Sequence, residues 1–333
     1  MKPVRTDARA RWMLTFILAW YLKAMSAPTR FRAAFPPRRE LGLRRVLVGT
    51  DLSPDGDRAL RRAAALSFAP RAKLLVIHVL PPRIAPAVAS IVRGAAEVKL
   101  EAAVRRLRDR LTARGRTDIS IELRVAQGRA AEVLDRLGRA YRTELVVVGR
   151  RGQSRIRELV LGSTARRLLR TGRHPVLVVG RQPEGPYRKA LVGLDFSPEA
   201  LRAARMTRQM VPSSASLVAV HAYEDPARGL PPGLIPDQTA RVGEALRSRT
   251  RLVQRAIETA GRGDTPWRIE VTEGDARRVL LEAARAKKAD LIAVGSAGKS
   301  RVVRTALGSV AEGVLDGAPC DVLVVRRPPR PAP

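Results

Sequence analysis

Residues 144–164, ELVVVGRRGQSRIRELVLGST, recur with close similarity at residues 290–310 as DLIAVGSAGKSRVVRTALGSV. Each copy has an apolar run that closes on a glycine, a second glycine three positions later, and a Gly-Ser pair after nine further residues. An internal repeat of this kind fixes the architecture of a chain. The sequence therefore predicts two copies of one domain.

Two further segments repeat with the same period. RRVLVGTDLSP, which begins at Arg44, aligns with RKALVGLDFSP, which begins at Arg188. LLVIHVL from Leu74 likewise aligns with LVAVHAY from Leu217. Matched residues lie about 145 positions apart throughout. The chain has 333 residues, enough for two domains that each enclose a core.

Both copies alternate short apolar runs with segments of helical periodicity. In the first copy the predicted strands are Arg45–Thr50, Lys73–Leu80, Ser120–Ala126, Leu145–Gly149 and Val176–Gly180. The predicted helices are Pro54–Phe68, Pro86–Arg114, Arg129–Tyr141 and Ser163–Thr171. This alternation requires right-handed crossovers and a doubly wound parallel sheet, so the fold class is α/β and Rossmann-like. Ligands of such sheets bind beyond the carboxyl ends of the strands.

The glycine-rich stretch has the features of an anion-binding loop. Gly149 closes a strand, where we expect a positive φ and a close approach of phosphate to the backbone. Gly162-Ser163 opens a helix whose first N–H groups and positive dipole end attract anions. Neither GxxxxGK[ST] nor GxGxxG after a first strand is present. Five cations in or beside the two loops are predicted to add positive charge: Arg150, Arg151, Arg155, Lys299 and Arg301.

An aspartate follows the first strand of each copy. Asp51 and Asp195 stand where a carboxylate can meet a ribose hydroxyl or a metal, and stabilisation of the turn is the alternative role. Ser53-Pro54 and Ser197-Pro198 are predicted to cap and begin the next helix.

Taken together, the Asp-[LF]-Ser-Pro turn, the LLVIHV strand, the G-x2-G-x9-G-S loop and the closing HPVLVVG or CDVLVVR resemble the ATP-binding universal stress protein family. The resemblance covers residues 44–181 and 188–327. It implies five parallel strands in the order 3-2-1-4-5 in each domain, with ATP over their carboxyl ends. Adenine would meet Val79 and Ala222, and the ribose Asp51 and Asp195. The triphosphate would meet Gly149, Gly152, Gly162, Ser163 and Thr164 in the first domain, and Gly295, Gly298, Gly308, Ser309 and Val310 in the second.

The domain limits follow from the repeats. We predict an N-terminal extension and linker over 1–42, domains over 43–182 and 187–327, and a tail over 328–333. Within the extension, Trp12–Met25 is apolar but shorter than the roughly 20 residues of a membrane-spanning helix. Three alternatives stay open for this segment. It is a helix docked on the protein, an amphipathic helix that lies on a membrane surface, or the product of a misassigned start codon, with Met25 as the true first residue.

The charge, the cysteine count and the histidine positions limit the classes of function that the chain can have. Lys and Arg number 63 against 31 Asp and Glu, a net charge of +32. A chain-wide preference for arginine explains this charge, and a basic surface for nucleic acid or anionic membranes is the alternative. The single cysteine, Cys320, points to a reducing compartment, so a cytoplasmic location is predicted. His78, His174 and His221 lack zinc-enzyme spacing and are predicted to be structural.

The resemblance implies an ATP-binding stress-response switch, with Mg²⁺ accompanying the nucleotide. No residue can be nominated as a general base, so any ATPase activity would be slow. The resemblance implies an intramolecular pseudo-dimer in which Val176–Gly180 lies antiparallel to Val322–Val325. Further homo-oligomers stay open, and the alternative function is a basic interaction protein in which nucleotide is only structural.

Overall fold

The computed structural model describes residues 42–150, 161–180, 185–224, 238–260, 266–296 and 307–326. Residues 1–41 of the predicted extension, including Trp12–Met25, lie outside these residues, as does the predicted tail over 328–333. None of the helices in the described ranges is long and apolar enough to cross a membrane.

The elements alternate as predicted in both halves. The first half contains β1 (Leu43–Thr50), α1 (Pro54–Ala64), β2 (Phe68–Leu80), α2 (Pro86–Thr112), β3 (Ser120–Gln127), α3 (Ala130–Ala140), β4 (Leu145–Gly149), α4 (Ser163–Thr171) and β5 (Val176–Val179). The second contains β6 (Lys189–Gly193), α5 (Pro198–Met210), β7 (Ser216–Tyr223), α6 (Gln238–Ala260), β8 (Trp267–Glu273), α7 (Ala276–Ala286), β9 (Leu291–Gly295), α8 (Ser309–Gly317) and β10 (Asp321–Val325).

All ten strands form one sheet in the order β3-β2-β1-β4-β5-β10-β9-β6-β7-β8. Each half therefore has the predicted order 3-2-1-4-5, with parallel pairing inside the half. Strands β5 and β10 join the halves and run antiparallel, with Val178 opposite Val322 and Val176 opposite Val324. The predicted contact between these two strands is present.

Side chains that alternate along each strand bury against helices on both faces of the sheet. Val46 and Val48 of β1 belong to the core under α1, α2, α5 and α6, whereas Leu47 belongs to the core under α3, α4, α7 and α8. Both cores continue across the β5–β10 seam. The seam is therefore part of the hydrophobic core. Each fully buried Val or Leu side chain there stabilises the folded state by about 1.5–3 kcal/mol.

The Ser-Pro motifs begin helices, as predicted. The Ser53 hydroxyl accepts a hydrogen bond from the Gly56 N–H at 3.2 Å, and the Ser197 hydroxyl accepts one from Ala200 at 3.1 Å. The predicted end of the first helix was wrong. Helix α1 ends at Ala64, and Phe68 instead begins β2, where it pairs with Leu43 of β1. Pairing between strands overrides local helix propensity at this point.

A buried charged cluster lies at the seam. Asp321 at the start of β10 accepts from Arg62 Nε of α1 at 2.8 Å, from the Tyr187 hydroxyl at 2.9 Å and from the Gly180 N–H at 3.0 Å. Arg62 also lies 3.9 Å from the centre of the Tyr187 ring and donates to the Gly185 carbonyl. Burial, with the Asp321 carboxylate beside it, raises the pKa of Tyr187 well above its ordinary value. These contacts tie both domains to the segment that joins them.

Candidate functional site

Each half has a cleft beyond the carboxyl ends of its strands. Cleft 1, in the first half, encloses about 340 Å³, and cleft 2, in the second, about 180 Å³. Cleft 1 is lined by Gly49, Thr50, Asp51, Gly56, Ile77, Val79, Ala130, Leu134, Val148, Gly149, Gly162, Ser163, Thr164 and Ala165. Cleft 2 is lined by Gly193, Leu194, Asp195, Val220, Ala222, Ala276, Leu280, Val294, Gly295, Gly308, Ser309, Val310 and Ala311.

All predicted site residues within the described ranges therefore line the clefts. They are Asp51, Val79, Gly149, Gly162, Ser163 and Thr164 in cleft 1, and Asp195, Ala222, Gly295, Gly308, Ser309 and Val310 in cleft 2. Gly152 and Gly298 lie outside the described residues, as do Arg151, Arg155, Lys299 and Arg301.

A helix N-terminus forms one wall of each cleft. Helix α4 follows Gly162, and its first backbone bond within the helix runs from the Arg166 N–H to the Gly162 carbonyl. The N–H groups of Ser163, Thr164 and Ala165 precede that bond, so the helix itself leaves them without acceptors. Helix α8 repeats this geometry, because its first such bond joins Glu312 to Gly308. Each cleft thus receives three amide donors and the positive end of a helix dipole.

The aspartates at the ends of β1 and β6 both stabilise a turn and line a cleft. Asp51 Oδ1 accepts from the N–H and the hydroxyl of Ser53, and Asp195 Oδ1 accepts from the same groups of Ser197. The residue after each aspartate has a positive φ, 61° at Leu52 and 63° at Phe196. Positive φ is uncommon in such residues, so the two serine bonds hold an unfavourable backbone in place.

The strand-closing glycines lack the predicted positive φ and are required for another reason. Gly149 and Gly295 do not have positive φ. A Cβ on Gly149 would lie 2.7 Å from the Asp55 carbonyl oxygen, and one on Gly295 would lie 2.9 Å from Glu199 Cβ. The glycines are needed because helices α1 and α5 begin directly against these strand ends.

Arg150 does not supply positive charge to cleft 1 in the predicted way. Its guanidinium donates to the carbonyls of Leu315, Asp316 and Ala318 at 2.6, 2.8 and 3.0 Å, at the C-terminal end of α8 in the other half. Its carbonyl accepts the Gly162 N–H at 2.8 Å. Arg150 therefore joins the rim of cleft 1 to a helix of the second half.

Two histidines hold the strand ends beside the clefts, as expected for structural residues. His78 Nδ1 donates to the Thr50 carbonyl at 3.0 Å, and His221 Nδ1 donates to the Leu194 carbonyl at 2.7 Å. Since a carbonyl can only accept, the proton lies on Nδ1 in both rings. Each ring fixes the strand end from which the aspartate turn begins.

Sequence reasoning missed the wall formed by α3 and α7. Ala130 and Leu134 line cleft 1, and Ala276 and Leu280 line cleft 2. Their spacing is the same in both copies, so an alignment of the repeat could have found them. Within the described ranges, no three His, Cys, Asp or Glu residues are grouped closely enough to hold a metal ion.

Comparison with known proteins agrees with the duplicated fold. Residues 42–180 and 186–326 each match the sequence model of the universal stress protein family. A universal stress protein of Mycolicibacterium smegmatis is 27% identical over 292 residues, 84% of this chain and 96% of that protein. One from Methanocaldococcus jannaschii is 32% identical over 154 residues, 44% of this chain and 87% of that protein. The crystal structure of a universal stress protein from Archaeoglobus fulgidus has a TM-score of 0.61 at 21% identity, covering 85% of this chain and 98% of that one. The chain belongs to the universal stress protein family.

Proposed function

We propose that the chain binds ATP in both clefts and acts as a nucleotide-dependent switch in a stress response. The observation that carries this proposal is the set of three N–H groups at the start of α4, repeated at the start of α8, which belong to residues that line the clefts. Helix N-termini bind phosphates through such groups. The nucleotide-binding units would be residues 43–182 and 187–327.

The order of the strands supports a nucleotide rather than a simple anion. Across cleft 1, β2 contributes apolar Val79, the turn after β1 contributes the Asp51 carboxylate, and α4, which follows β4, contributes the amide donors. An apolar wall suits a base, a carboxylate suits ribose hydroxyls, and amides suit phosphates. In cleft 2, Ala222, Asp195 and the start of α8 follow the same order.

The lining favours binding over turnover. Asp51 and Asp195 are the only carboxylates among the described residues that line the clefts, and serine holds Oδ1 of each. Neither lies on the helix that supplies the phosphate donors, so neither is placed to activate water at the γ-phosphate. Mg²⁺ would enter on the triphosphate. We therefore expect slow hydrolysis at most.

We also propose that the two halves act as an intramolecular pseudo-dimer in the cytoplasm. The β5–β10 pairing and the two continuous cores support this arrangement. The lone cysteine fits a reducing compartment.

Isothermal titration with Mg·ATP tests the proposal on nucleotide-stripped protein. Ser163→Asp and Ser309→Asp place a carboxylate at the first position of α4 or α8, where it suits the helix dipole but repels phosphate. Both serines are exposed, so the pair is matched. We expect micromolar binding of about two equivalents in the wild type, one in each variant and none in the double variant.

Ser120→Asp is the control, because it makes the same charge change at an exposed site at the start of β3, the opposite end from the clefts. It should leave two equivalents. A wild type that binds no ATP would overturn the proposal. In that case, salt-dependent binding to nucleic acid or anionic vesicles would favour the basic interaction surface.

A further inference from the structure

We propose that Arg150 and Arg326 are positioning residues that couple the two clefts, an inference that rests on the proposed nucleotide binding. Each arginine holds the C-terminal end of a helix in the opposite half. The N-terminal end of the same helix forms the amide wall of a cleft. Arg150 acts in this way on α8 and cleft 2, and Arg326 on α4 and cleft 1.

The first link runs from cleft 1 to cleft 2. Gly149 lines cleft 1, and the next residue, Arg150, accepts the Gly162 N–H through its carbonyl. The Arg150 side chain meanwhile holds three carbonyls at the end of α8. Helix α8 has nine residues, so about 13 Å separates this end from Ser309 in cleft 2. A short helix moves as one body, so a shift at Arg150 reaches Ser309.

The return link uses a different position of the repeat. Ser296 follows Gly295 of cleft 2, accepts the Gly308 N–H at 2.7 Å and donates to the Val325 carbonyl at 2.9 Å. The next residue, Arg326, donates from Nη1 to the Leu169 carbonyl in the last turn of α4. Helix α4 begins at Ser163 in cleft 1. The contacts therefore close a ring through both clefts.

The chemistry of these contacts makes them specific. A guanidinium at a helix C-terminus satisfies carbonyls that the helix cannot and complements the negative end of its dipole. Charge-assisted hydrogen bonds of this kind are short and directional. The counterparts of Arg150 and Arg326 in the repeat are Ser296 and Gly180, so the duplication did not produce the two contacts by symmetry. Burial lowers the pKa of Arg326.

Hydrogen exchange tests the coupling in the Ser309→Asp variant, where ATP can enter only cleft 1. We expect Mg·ATP to slow amide exchange in peptides that cover α8, although that helix contacts no nucleotide in this variant. Adding Arg150→Ala should abolish the response. Arg150→Lys keeps the charge and should retain part of the exchange response of α8. It replaces the alanine variant in the experiment if that variant does not fold.

Affinity gives the second readout. In the Ser163→Asp background, Arg150→Ala should weaken ATP binding to cleft 2 by about fivefold or more. Arg285→Ala is the matched control, because Arg285 donates to the Gly317 carbonyl of the same helix end from within the second half, at 3.3 Å. It should change the affinity less than twofold.

The outcomes separate this inference from the proposed function. Calorimetry on the same samples shows whether ATP is bound. Bound ATP with no change in α8 exchange would overturn the coupling alone. Equal weakening by Arg285→Ala would assign the effect to charge at the helix end and would also overturn it. Absence of ATP binding would overturn the proposed function, and the coupling with it.

Discussion

Cleft 1 and cleft 2 share a backbone but differ in the groups they offer. Thr50 and Thr164 in cleft 1 are replaced by Leu194 and Val310 in cleft 2, and the enclosed volume is about 340 Å³ against 180 Å³. The Thr50-to-Leu194 replacement is accompanied by a second change. A Cβ on Gly56 would lie 2.5 Å from Thr50 Oγ1, whereas beside Leu194 the equivalent residue is Ala200. Duplication kept the aspartate turn and the helix start but let the surrounding lining diverge.

The seam between the halves is also unequal. Arg62 and Asp321 form a buried ion pair, whereas the equivalent positions of the other half are Met206 and Pro175. The buried carboxylate of the second half is therefore neutralised by an arginine of the first half, and no equivalent ion pair is formed in the other direction by Met206 and Pro175.

Arg62→Met should have the largest effect. It gives α1 the residue found in α5 but removes the guanidinium from a fully buried carboxylate, so we expect the free energy of unfolding to fall by about 3–5 kcal/mol. Arg62→Met with Asp321→Asn should recover much of this loss, because the asparagine is neutral and still accepts the Gly180 N–H. Chemical denaturation measures both values.

Arg61→Met is the control for that prediction. Arg61 pairs with Asp57 at 2.6 Å but is partly exposed, so its loss should cost less than about 1 kcal/mol. If Arg62→Met cost no more than Arg61→Met, the seam would not depend on the buried charge.

The contrast between local and distant contacts explains what the sequence could predict. The alternation of strands and helices, the Ser53 and Ser197 caps and the helix start at Ser163 follow from residues a few positions apart, and all are confirmed. The strand order came from the family resemblance and is also confirmed. Arg150 was misassigned because its partners lie 165 to 168 positions away. Gly149 was assigned the wrong reason because the backbone it approaches belongs to another element.

Giving cleft 1 the valine that cleft 2 has at the second position of the helix should have an intermediate effect, on the affinity for ATP. Thr164→Val, made in the Ser309→Asp background, removes one hydroxyl donor from cleft 1 while preserving the shape of the side chain. We expect ATP affinity to fall about two- to tenfold, since one hydrogen bond is worth about 0.5–1.5 kcal/mol. Titration calorimetry measures the change.

The reciprocal substitution introduces a hydroxyl into cleft 2. Val310→Thr in the Ser163→Asp background should raise the affinity of cleft 2 by a similar factor. Affinities that stay unchanged in both directions would show that the Thr-to-Val difference does not distinguish the clefts.

The smallest effect concerns pH, and again only one half should show it. His174 precedes β5, and the equivalent residue before β10 is Cys320. His174 Nδ1 donates to the Thr143 carbonyl at 3.1 Å, and its buried Nε2 has no hydrogen-bond partner among the described residues. Burial lowers the pKa of His174 below its ordinary value of 6.5, although the Asp135 carboxylate opposes the shift.

The sign of the pH effect follows from that shift. Below about pH 6.5 the unfolded chain binds a proton that the folded protein resists, so the stability present at neutral pH is lost as the pH falls towards the lower, folded pKa. His174→Cys copies the second half and removes this group. Between pH 7.5 and 5.5 the variant should lose less unfolding free energy than the wild type, as measured by urea denaturation in reducing buffer. Equal losses would mean that the His174 ring can be protonated without unfolding, and that the two halves respond alike to acid.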